Sequence, residues 1–300
     1  MVIRMAAATI ALVSLAIVAS PSAEVHCRAW AVISDALQNG EPEDRAFAAQ
    51  MLGRVDAPET VGLLCEALRS PSPTIRAAAA NAFRTTRQPV PSEVLAASLM
   101  SETDPWVRIL LVEAIARSTG PRRGQMIRPA FRDPDERVRQ VAYSQIWLLP
   151  KEEARQILEA ELTGELPEDR LRTAEFLAAI NAPNAAARRS PRTSIPDPKA
   201  SPPAHATADM LRDEDPQRRI AALQAMARSR DSGLLSDAEK VFLAPGEHPE
   251  VTVAAASAIA ETAGSKALPL LEAAIDSDRA AVRIAAAVEL LRDVRFRSNQ

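Results

Sequence analysis

The chain of 300 residues carries 36 basic and 39 acidic side chains, which gives a formal net charge of −3. This balance argues against a nucleic-acid-binding protein, for which a strongly basic face is expected. Hydrophobic residues make up 47% of the chain and aromatic residues only 3%. Small apolar side chains let helices approach closely, so the composition favours helices packed on helices.

The N-terminus has the layout of a secretory signal peptide. Arg4 precedes an apolar run, ATIALVSLAIVA at 8–19, and small residues from Ser20 to Ala23 follow it. The run is shorter than the roughly 20 residues needed to span a bilayer. We therefore expect residues 1–23 to be a signal peptide, cleaved after Ser22 or Ala23, and the mature chain from 24 onwards to be periplasmic or extracellular. An uncleaved N-terminal anchor is the alternative.

A short pattern recurs eight times in the rest of the chain. An acidic turn leads into V-R-x-A-A-x-x-A-L, as in TDPWVRILLVEAI at 103–115 and DSDRAAVRIAAAVELL at 276–291. The successive spacings are 31, 32, 31, 33, 47, 33 and 31 residues. A nearly constant period of this size indicates a solenoid of stacked units, here called repeats one to eight. The position of the arginine, here called the slot, holds in order Arg45, Arg76, Arg108, Arg139, Arg172, Arg219, Thr252 and Arg283.

Each repeat divides into two helices, because hydrophobic residues recur at steps of three and four. The second helix of each repeat carries the slot, and Pro129 is expected to kink the first helix of repeat four. No segment alternates with period two, so we predict no strands. The fold class is therefore all-α, an α-solenoid (a right-handed superhelix) of about eight two-helix repeats. Repeat one and the polar tail after Leu291 are expected to cap its two ends. The predicted first helices cover 25–37, 59–70, 92–100, 124–132, 152–164, 206–213, 234–243 and 266–275.

Cys27 and Cys65 are the two cysteines, and export would place them where disulfides form. Aligned by their slots, the first two repeats place Cys27 seven residues from the position opposite Cys65. That offset is about 10 Å along a helix axis. A disulfide needs Cα atoms within roughly 7 Å. We therefore predict two buried free thiols.

A proline-rich segment at 186–205 lengthens one spacing to 47 residues. With five prolines and almost no apolar side chains, it cannot bury enough surface to offset the entropy of ordering it. We expect an exposed loop inside a solenoid that runs from 24 to 300. It is either a tolerated insertion or a docking arm for an acidic or proline-recognising partner. Its basic residues are Arg188, Arg189, Arg192 and Lys199.

The repeated pattern resembles HEAT repeats, specifically the short HEAT-like type of phycobilisome lyases, over about 25–292. The resemblance implies that the slot arginine is structural and bonds an acidic residue of a turn in its own or a neighbouring repeat. The expected acidic partners of Arg108, Arg139, Arg219 and Arg283 are Asp104, Asp135, Asp215 and Asp278. Thr252 in the slot of repeat seven predicts a weaker or re-angled interface there. The structural arginines are thus Arg45, Arg76, Arg108, Arg139, Arg172, Arg219 and Arg283.

Tests for chemistry in the sequence are negative. His26, His205 and His248 do not pair at metal-ligand spacing, and there is no C-x-x-C. Phosphate-binding glycine loops and a nucleophile elbow are also missing from the sequence. We therefore predict no catalytic, cofactor-binding or metal-binding residue, and no cofactor.

Two tryptophans are candidate contacts for a partner. Trp106 starts a second helix and Trp147 ends one, so they are either interface anchors or packing between neighbouring repeats.

We predict an exported, non-catalytic scaffold or adaptor whose concave face, lined by second helices, binds a protein or peptide. The alternatives are a phycobilin-lyase-like accessory enzyme, implied by the resemblance, and a nucleic-acid-binding solenoid. The candidate partner-binding residues are Trp106, Trp147, Arg188, Arg189 and Arg192.

Overall fold

The computed structural model describes residues 21–118, 122–162, 167–181 and 204–292. Within these ranges the chain forms helices joined by turns, with no strand, so the predicted all-α solenoid of two-helix repeats is confirmed. Most of the predicted signal peptide, residues 1–20, lies outside the described residues, as do 186–203 of the proline-rich segment and the tail from 293. The helices are α1 (Pro21–Asn39), α2 (Pro42–Leu52), α3 (Glu59–Ala67), α4 (Pro73–Thr85), α5 (Ser92–Ser101), α6 (Pro105–Arg117), α7 (Arg123–Ile127), α8 (Glu136–Gln145), α9 (Lys151–Glu161), α10 (Pro167–Asn181), α11 (Ala204–Met210), α12 (Pro216–Ser229), α13 (Leu235–Leu243), α14 (Pro249–Ala263), α15 (Leu268–Ala274) and α16 (Ala280–Arg292).

Proline starts most of the second helices. It is favoured at the first helical position because its missing N–H would have no partner inside the helix there. Six helices, α2, α4, α6, α10, α12 and α14, begin in this way, at Pro42, Pro73, Pro105, Pro167, Pro216 and Pro249. Alanine then fills the buried face of these helices, as at Ala79, Ala80 and Ala82 of α4. Proline thus sets where the helix begins, and alanine lets neighbouring helices approach.

Pro129 breaks the first helix of repeat four, as the sequence predicts. The α-helical part, α7, ends at Ile127, and residues Arg128–Arg132 continue as a 3-10 helix. Pro129 has no N–H to donate to an i−4 carbonyl, so the α-helical hydrogen-bond ladder cannot pass it unchanged. Shorter 3-10 segments also occur at Ile146–Leu148, Ser232–Leu234 and Gly264–Ala267.

The chain divides into two compact units. The central unit, residues 52–197, contains repeats two to five among its described residues. Its second helices α4, α6 and α8 pack side by side in that order, and the first helices α3, α5 and α9 lie against α4, α6 and α10 respectively. The stacking expected of a solenoid is therefore present in this unit.

The terminal unit combines the residues up to 51 with those from 198 onwards. Helices α12, α14 and α16 of repeats six, seven and eight pack in sequence, and α1 of repeat one lies against α16. The expectation that repeat one lies at the opposite end from the last repeat is therefore wrong, and the polar tail, which was expected to cap the last repeat, lies outside the described residues. The first described helix covers the apolar face of the last repeat.

Candidate functional site

Five of the slot arginines bind the turn that precedes their own helix. Nη1 of Arg76 donates to the carbonyl oxygens of Ser70 and Pro71, six and five residues earlier, at 3.0 and 2.9 Å. Carbonyls in a turn are outside the regular hydrogen-bond ladder of a helix, and the arginine supplies a donor for them. The same pair of bonds, to the residues six and five before the slot, is made by Arg108, Arg139, Arg219 and Arg283.

The slot arginine also reaches a carboxylate in the turn of the next repeat. Arg76 donates through Nε and Nη2 to Glu102, both at 2.7 Å. Arg108 donates in the same two-bond geometry to Asp133, at 2.7 and 2.8 Å. In repeats four and six the corresponding ion pairs are Arg139 with Asp169, at 3.0 Å, and Arg219 with Glu247, at 2.7 Å.

These inter-repeat ion pairs are largely shielded from water. The side chains of Arg108 and Asp133 are 11% and 8% exposed. A carboxylate buried to this degree needs several hydrogen bonds to offset its lost hydration. Glu102 has these additional hydrogen bonds. Its Oε1 also accepts the backbone N–H groups of Thr103 and Asp104, each at 2.9 Å. One side chain thus ties together an arginine of the preceding repeat and the backbone of its own turn.

The charges of the Arg76–Glu102 pair stabilise each other. Although burial raises the pKa of the Glu102 carboxyl, the hydrogen bonds from Arg76 and from the N–H groups of Asp104 and Thr103 outweigh it, and the pKa is lowered overall. The pKa of Arg76 is raised, chiefly by its hydrogen bond to Glu102. The pKa of Arg108 is raised in the same way by Asp133. Both partners are thus held in their charged forms.

The acidic residues predicted to pair with the slot arginines have a different role, so that prediction is wrong. The side chain of Asp104 accepts the N–H groups of Trp106 and Val107 and caps α6. Asp135 and Asp215 cap α8 and α12 through the N–H groups of Arg137 and Gln217. Asp278 meets Arg283 through its backbone carbonyl. An extended residue just before a helix places its side chain over the free N–H groups of the first turn, which makes capping the natural role of these aspartates.

The residue six positions before the slot has a structural role that we did not predict, although the sequence shows a serine or an acid at this position in five repeats. In five repeats its side chain accepts the N–H of the residue two positions on. It is an acid at Glu102 and Asp133, where the preceding slot holds arginine. It is Ser277 where the preceding slot holds Thr252. It is also an acid at Asp213, which pairs with Arg218 of its own repeat. It is a serine at Ser70, where Arg45 of the preceding repeat bonds Leu37 instead. The residue type therefore does not follow the preceding slot in every repeat. The five residues are Ser70, Glu102, Asp133, Asp213 and Ser277.

Repeat seven replaces the missing arginine with other contacts. The hydroxyl of Thr252 donates to the carbonyl of His248 at 3.3 Å, within its own helix. Nη2 of Arg279, from the turn of repeat eight, reaches back to the carbonyl of Glu247 at 3.5 Å. Ser257 on α14 donates to the buried carboxylate of Glu289 on α16 at 2.5 Å. Repeats seven and eight therefore remain joined by polar contacts.

Arg172 departs from the pattern and does not occupy the slot as predicted. The residue before it, Leu171, is 64% exposed, whereas the corresponding residues of the other repeats in this unit, Ile75, Val107 and Val138, are at most 2% exposed. The slot itself is taken by the buried Thr173, whose hydroxyl donates to Asp169 O at 2.7 Å, as the hydroxyl of Thr252 in the slot of repeat seven donates to His248 O. Helix α10 is therefore shifted by one residue relative to the sequence alignment. Arg172 lies over the ring of Tyr143 and pairs with Asp169.

In repeat one, Arg45 keeps a reduced form of the pattern. Its Nε donates to the carbonyl of Leu37 at 2.9 Å, across the turn that joins α1 to α2. The acceptor is in the last turn of the preceding helix, whereas the other slot arginines bond the turn that follows that helix.

The two candidate tryptophans have different surroundings. Trp147 is half-buried, and its ring lies 5.9 Å from that of Phe176 in the next repeat, tilted by 37°. It therefore has the contacts of a residue that packs between repeats. Trp106 is 59% exposed in the first turn of α6. The other candidates, Arg188, Arg189 and Arg192, lie outside the described residues.

The cysteines are free, and one is not buried as predicted. Cys27 is exposed on α1, because it lies on the face of that helix opposite the buried Ala29 and Ile33. Cys65 is half-buried in α3, and burial raises the pKa of its thiol more than nearby Arg69 lowers it. The prediction of two free thiols holds, and the prediction that both are buried is wrong for Cys27.

Within the described ranges, no group of three or more histidine, cysteine or acidic side chains is arranged to hold a metal ion. Among the same residues, no helix combines the length and apolar character needed to cross a membrane. The polar groups that the structure does concentrate are the arginines and carboxylates that join the repeats.

Comparison with known proteins assigns the chain to a family. A family model described as HEAT repeats matches residues 31–116 and 205–292, more than half of the chain. Similar solved structures include YibA of Escherichia coli, at 15% identity over 92% of this chain and 98% of that one, with a TM-score of 0.36. Human deoxyhypusine hydroxylase in complex with glycerol is similar at 16% identity over 89% and 96%, also with a TM-score of 0.36. No curated protein sequence gives a match. The chain belongs to the HEAT-repeat family.

Proposed function

We propose that the chain is an exported, non-catalytic scaffold that binds a protein or peptide partner. The surface we assign to the partner is the one formed by the second helices of the central unit, α4, α6 and α8. Stacked helical repeats present extended surfaces of this kind. The short period, near 32 residues, favours the short HEAT-like type that also occurs in phycobilisome lyases. The signal-like sequence at 1–23 favours export.

We propose that the slot arginines are structural and do not form a ligand-binding row. In the Arg76 and Arg108 side chains, Nε, Nη1 and Nη2 all donate to protein oxygens. A ligand that bound these guanidinium groups would have to displace Glu102 or Asp133. The displaced carboxylate would then be buried without a cation, which costs several kcal/mol.

The observation that carries the proposal is the exposure of Trp106. In the other repeats, the position two before the slot holds a smaller or polar residue, such as Thr74, Arg137 or Gln217. Pro105 and the cap from Asp104 fix the backbone of Trp106, so a partner would have to order only the two side-chain torsions of the tryptophan. Exposed, rigid tryptophans are enriched among residues that dominate binding energy.

A second exposed apolar side chain lies close to Trp106 in the chain. Met100, in the last turn of the first helix α5, is across the 102–104 turn from Trp106 and is 71% exposed. Methionine adapts its shape to irregular partners. The turn of repeat three thus carries two large apolar side chains in water, which marks it as the proposed contact point.

The test compares two exposed positions of equivalent geometry. Trp106→Ala and Thr74→Ala should both leave the melting temperature unchanged. A partner crosslinked and captured from the exported fraction by the wild-type chain should also be recovered by Thr74→Ala and lost with Trp106→Ala. N-terminal sequencing of the exported chain should give a start at residue 23 or 24.

Three results would contradict the proposal. Equal capture by Trp106→Ala and the wild type would remove Trp106 from the contact. A chain retained in the cytoplasm that changes the absorbance of a bilin would favour the lyase-like alternative. Steeply salt-dependent DNA binding would favour a nucleic-acid-binding solenoid.

A further inference from the structure

Among the described helices, α1 is covered by the one most distant from it in sequence. It lies against α16 in the terminal unit. Its buried side chains are Ala29 and Ile33, both with no exposed surface, and Ala36 and Leu37, each less than a tenth exposed. They form one stripe, because they recur at steps of three and four. In the partner helix of this contact, α16, every residue from Ile284 to Leu291 is buried.

One ion pair marks the same contact. Arg28 donates through Nη2 to Asp276 at 2.6 Å, across 248 residues of sequence. The two side chains are 42% and 70% exposed, so the pair is surrounded by water. Ion pairs in such surroundings contribute at most about 1 kcal/mol. The apolar stripe of α1 therefore provides most of the free energy of docking, and Arg28 with Asp276 sets its position along α16.

This contact is the slowest kind to form. Contacts between residues close in sequence form first, because a long chain segment must lose more entropy to close. The contacts that join repeats two to eight within each unit are about one period apart, whereas the docking of α1 spans almost the whole chain. A helix that leaves its apolar stripe in water is only marginally stable alone.

We propose that α1 is the last helix to form, and that it forms only on a completed face of α16. Residues 21–39 then stay unfolded while repeats two to eight assemble, and they become helical when α16 is in place. This goes beyond the proposed function, because it requires neither export nor a partner. Its consequence is that the backbone around Ala23 and Glu24, in the first turns of α1, is open to proteases before docking and closed afterwards.

Pulsed hydrogen exchange during refolding of the full chain tests the order. The amides of residues 29–37 should become protected after those of α14 and α16. Protection of α1 at the same time as α14, or earlier, would overturn the proposal.

Exchange at equilibrium tests the dependence on docking. Ile33→Asp places a charge in the buried stripe, so residues 29–37 should exchange roughly tenfold faster or more, while α12 and α14 keep their protection. The matched control is Ala31→Asp, an exposed position on the same helix, which should change nothing. Unchanged protection of α1 in Ile33→Asp would overturn the proposal. If that variant fails to fold at all, α1 cannot be the last and separable element, and the proposal also fails.

Discussion

Arg108 in repeat three and Asp133 in repeat four form a two-bond ion pair, with N–O distances of 2.7 and 2.8 Å. Asp104, only four residues before Arg108, instead caps the helix that carries the arginine. Asp104 thus caps the helix of its own repeat, and Asp133, in the turn of the next repeat, forms the ion pair that joins the two repeats. The same division of roles can be tested at each position.

The helix cap can be tested at Asp104. Asp104→Ala removes the acceptor for the N–H groups of Trp106 and Val107, so the free energy of unfolding should fall by about 1 kcal/mol. Thr103→Ala is the control, because Thr103 is exposed and takes part in the turn through its backbone. Urea denaturation measures both variants. Equal losses for the two would show that the side chain of Asp104 does not cap α6.

The Arg76–Glu102 pair predicts a specific acid dependence. The pKa of Glu102 is lowered in the folded state from its ordinary 4.5. Its contribution to stability is therefore complete above pH 4.5 and is lost as the pH falls through the folded-state value. Glu102→Gln should be less stable than the wild type at neutral pH, and the difference should shrink below pH 4.5. Urea denaturation measured from pH 7 to pH 3 checks this. A difference that is the same at every pH would contradict the assignment.

A buried carboxylate outside the slot pattern provides a contrast with a surface pair. Glu161 is 3% exposed and accepts from Nε of Arg128 at 3.0 Å and of Arg132 at 2.7 Å. The arginines themselves are half in water, so Glu161→Gln should cost about 1–2 kcal/mol of unfolding free energy. Glu159→Gln, which breaks an exposed pair with Arg155, should cost under about 0.5 kcal/mol. A larger loss of unfolding free energy in Glu159→Gln than in Glu161→Gln would contradict the expectation that the buried pair contributes more.

A substitution that should stabilise the chain lies at the end of α12. Arg230 has φ 53° and ψ 39°, a left-handed conformation that is strained for residues with a Cβ. The N–H of Asp231 donates to the carbonyl of Met226 and closes the helix end in the manner typical of glycine. Arg230→Gly should therefore raise the free energy of unfolding by about 1 kcal/mol. Arg228→Gly, inside the last turn, should lower it by about 1 kcal/mol. A loss in both variants would contradict the reading of this cap.

The sequence was sufficient to predict the two-helix repeats, because their apolar period and the proline at helix starts are local signals. It was also sufficient to locate the slot at Arg76, Arg108 and Arg139. It was not sufficient to identify their partners. The acid nearest in sequence, such as Asp104, competes with one some 25 residues away, such as Asp133, and only the geometry of the turn decides between them.

Two further differences have physical causes that act beyond the local pattern. Arg172 matches the pattern by its letters, but burial of Thr173 beside Tyr143 shifts α10 by one residue. The docking of α1 on α16 joins the first and the last of the described helices, and no periodic signal reports a contact of that kind. Trp106 was identified from the sequence, and its exposure had to be seen in the structure.

Slot arginines thus join neighbouring repeats through the acid of the next turn. A double-mutant cycle between Arg108→Met and Asp133→Asn, measured by urea denaturation, tests this junction, with a second cycle between Arg108→Met and Asp104→Asn as the control. We expect a coupling energy of about 2 kcal/mol for Arg108 with Asp133 and under about 0.5 kcal/mol for Arg108 with Asp104. A larger coupling with Asp104 than with Asp133 would show that the arginine pairs within its own turn.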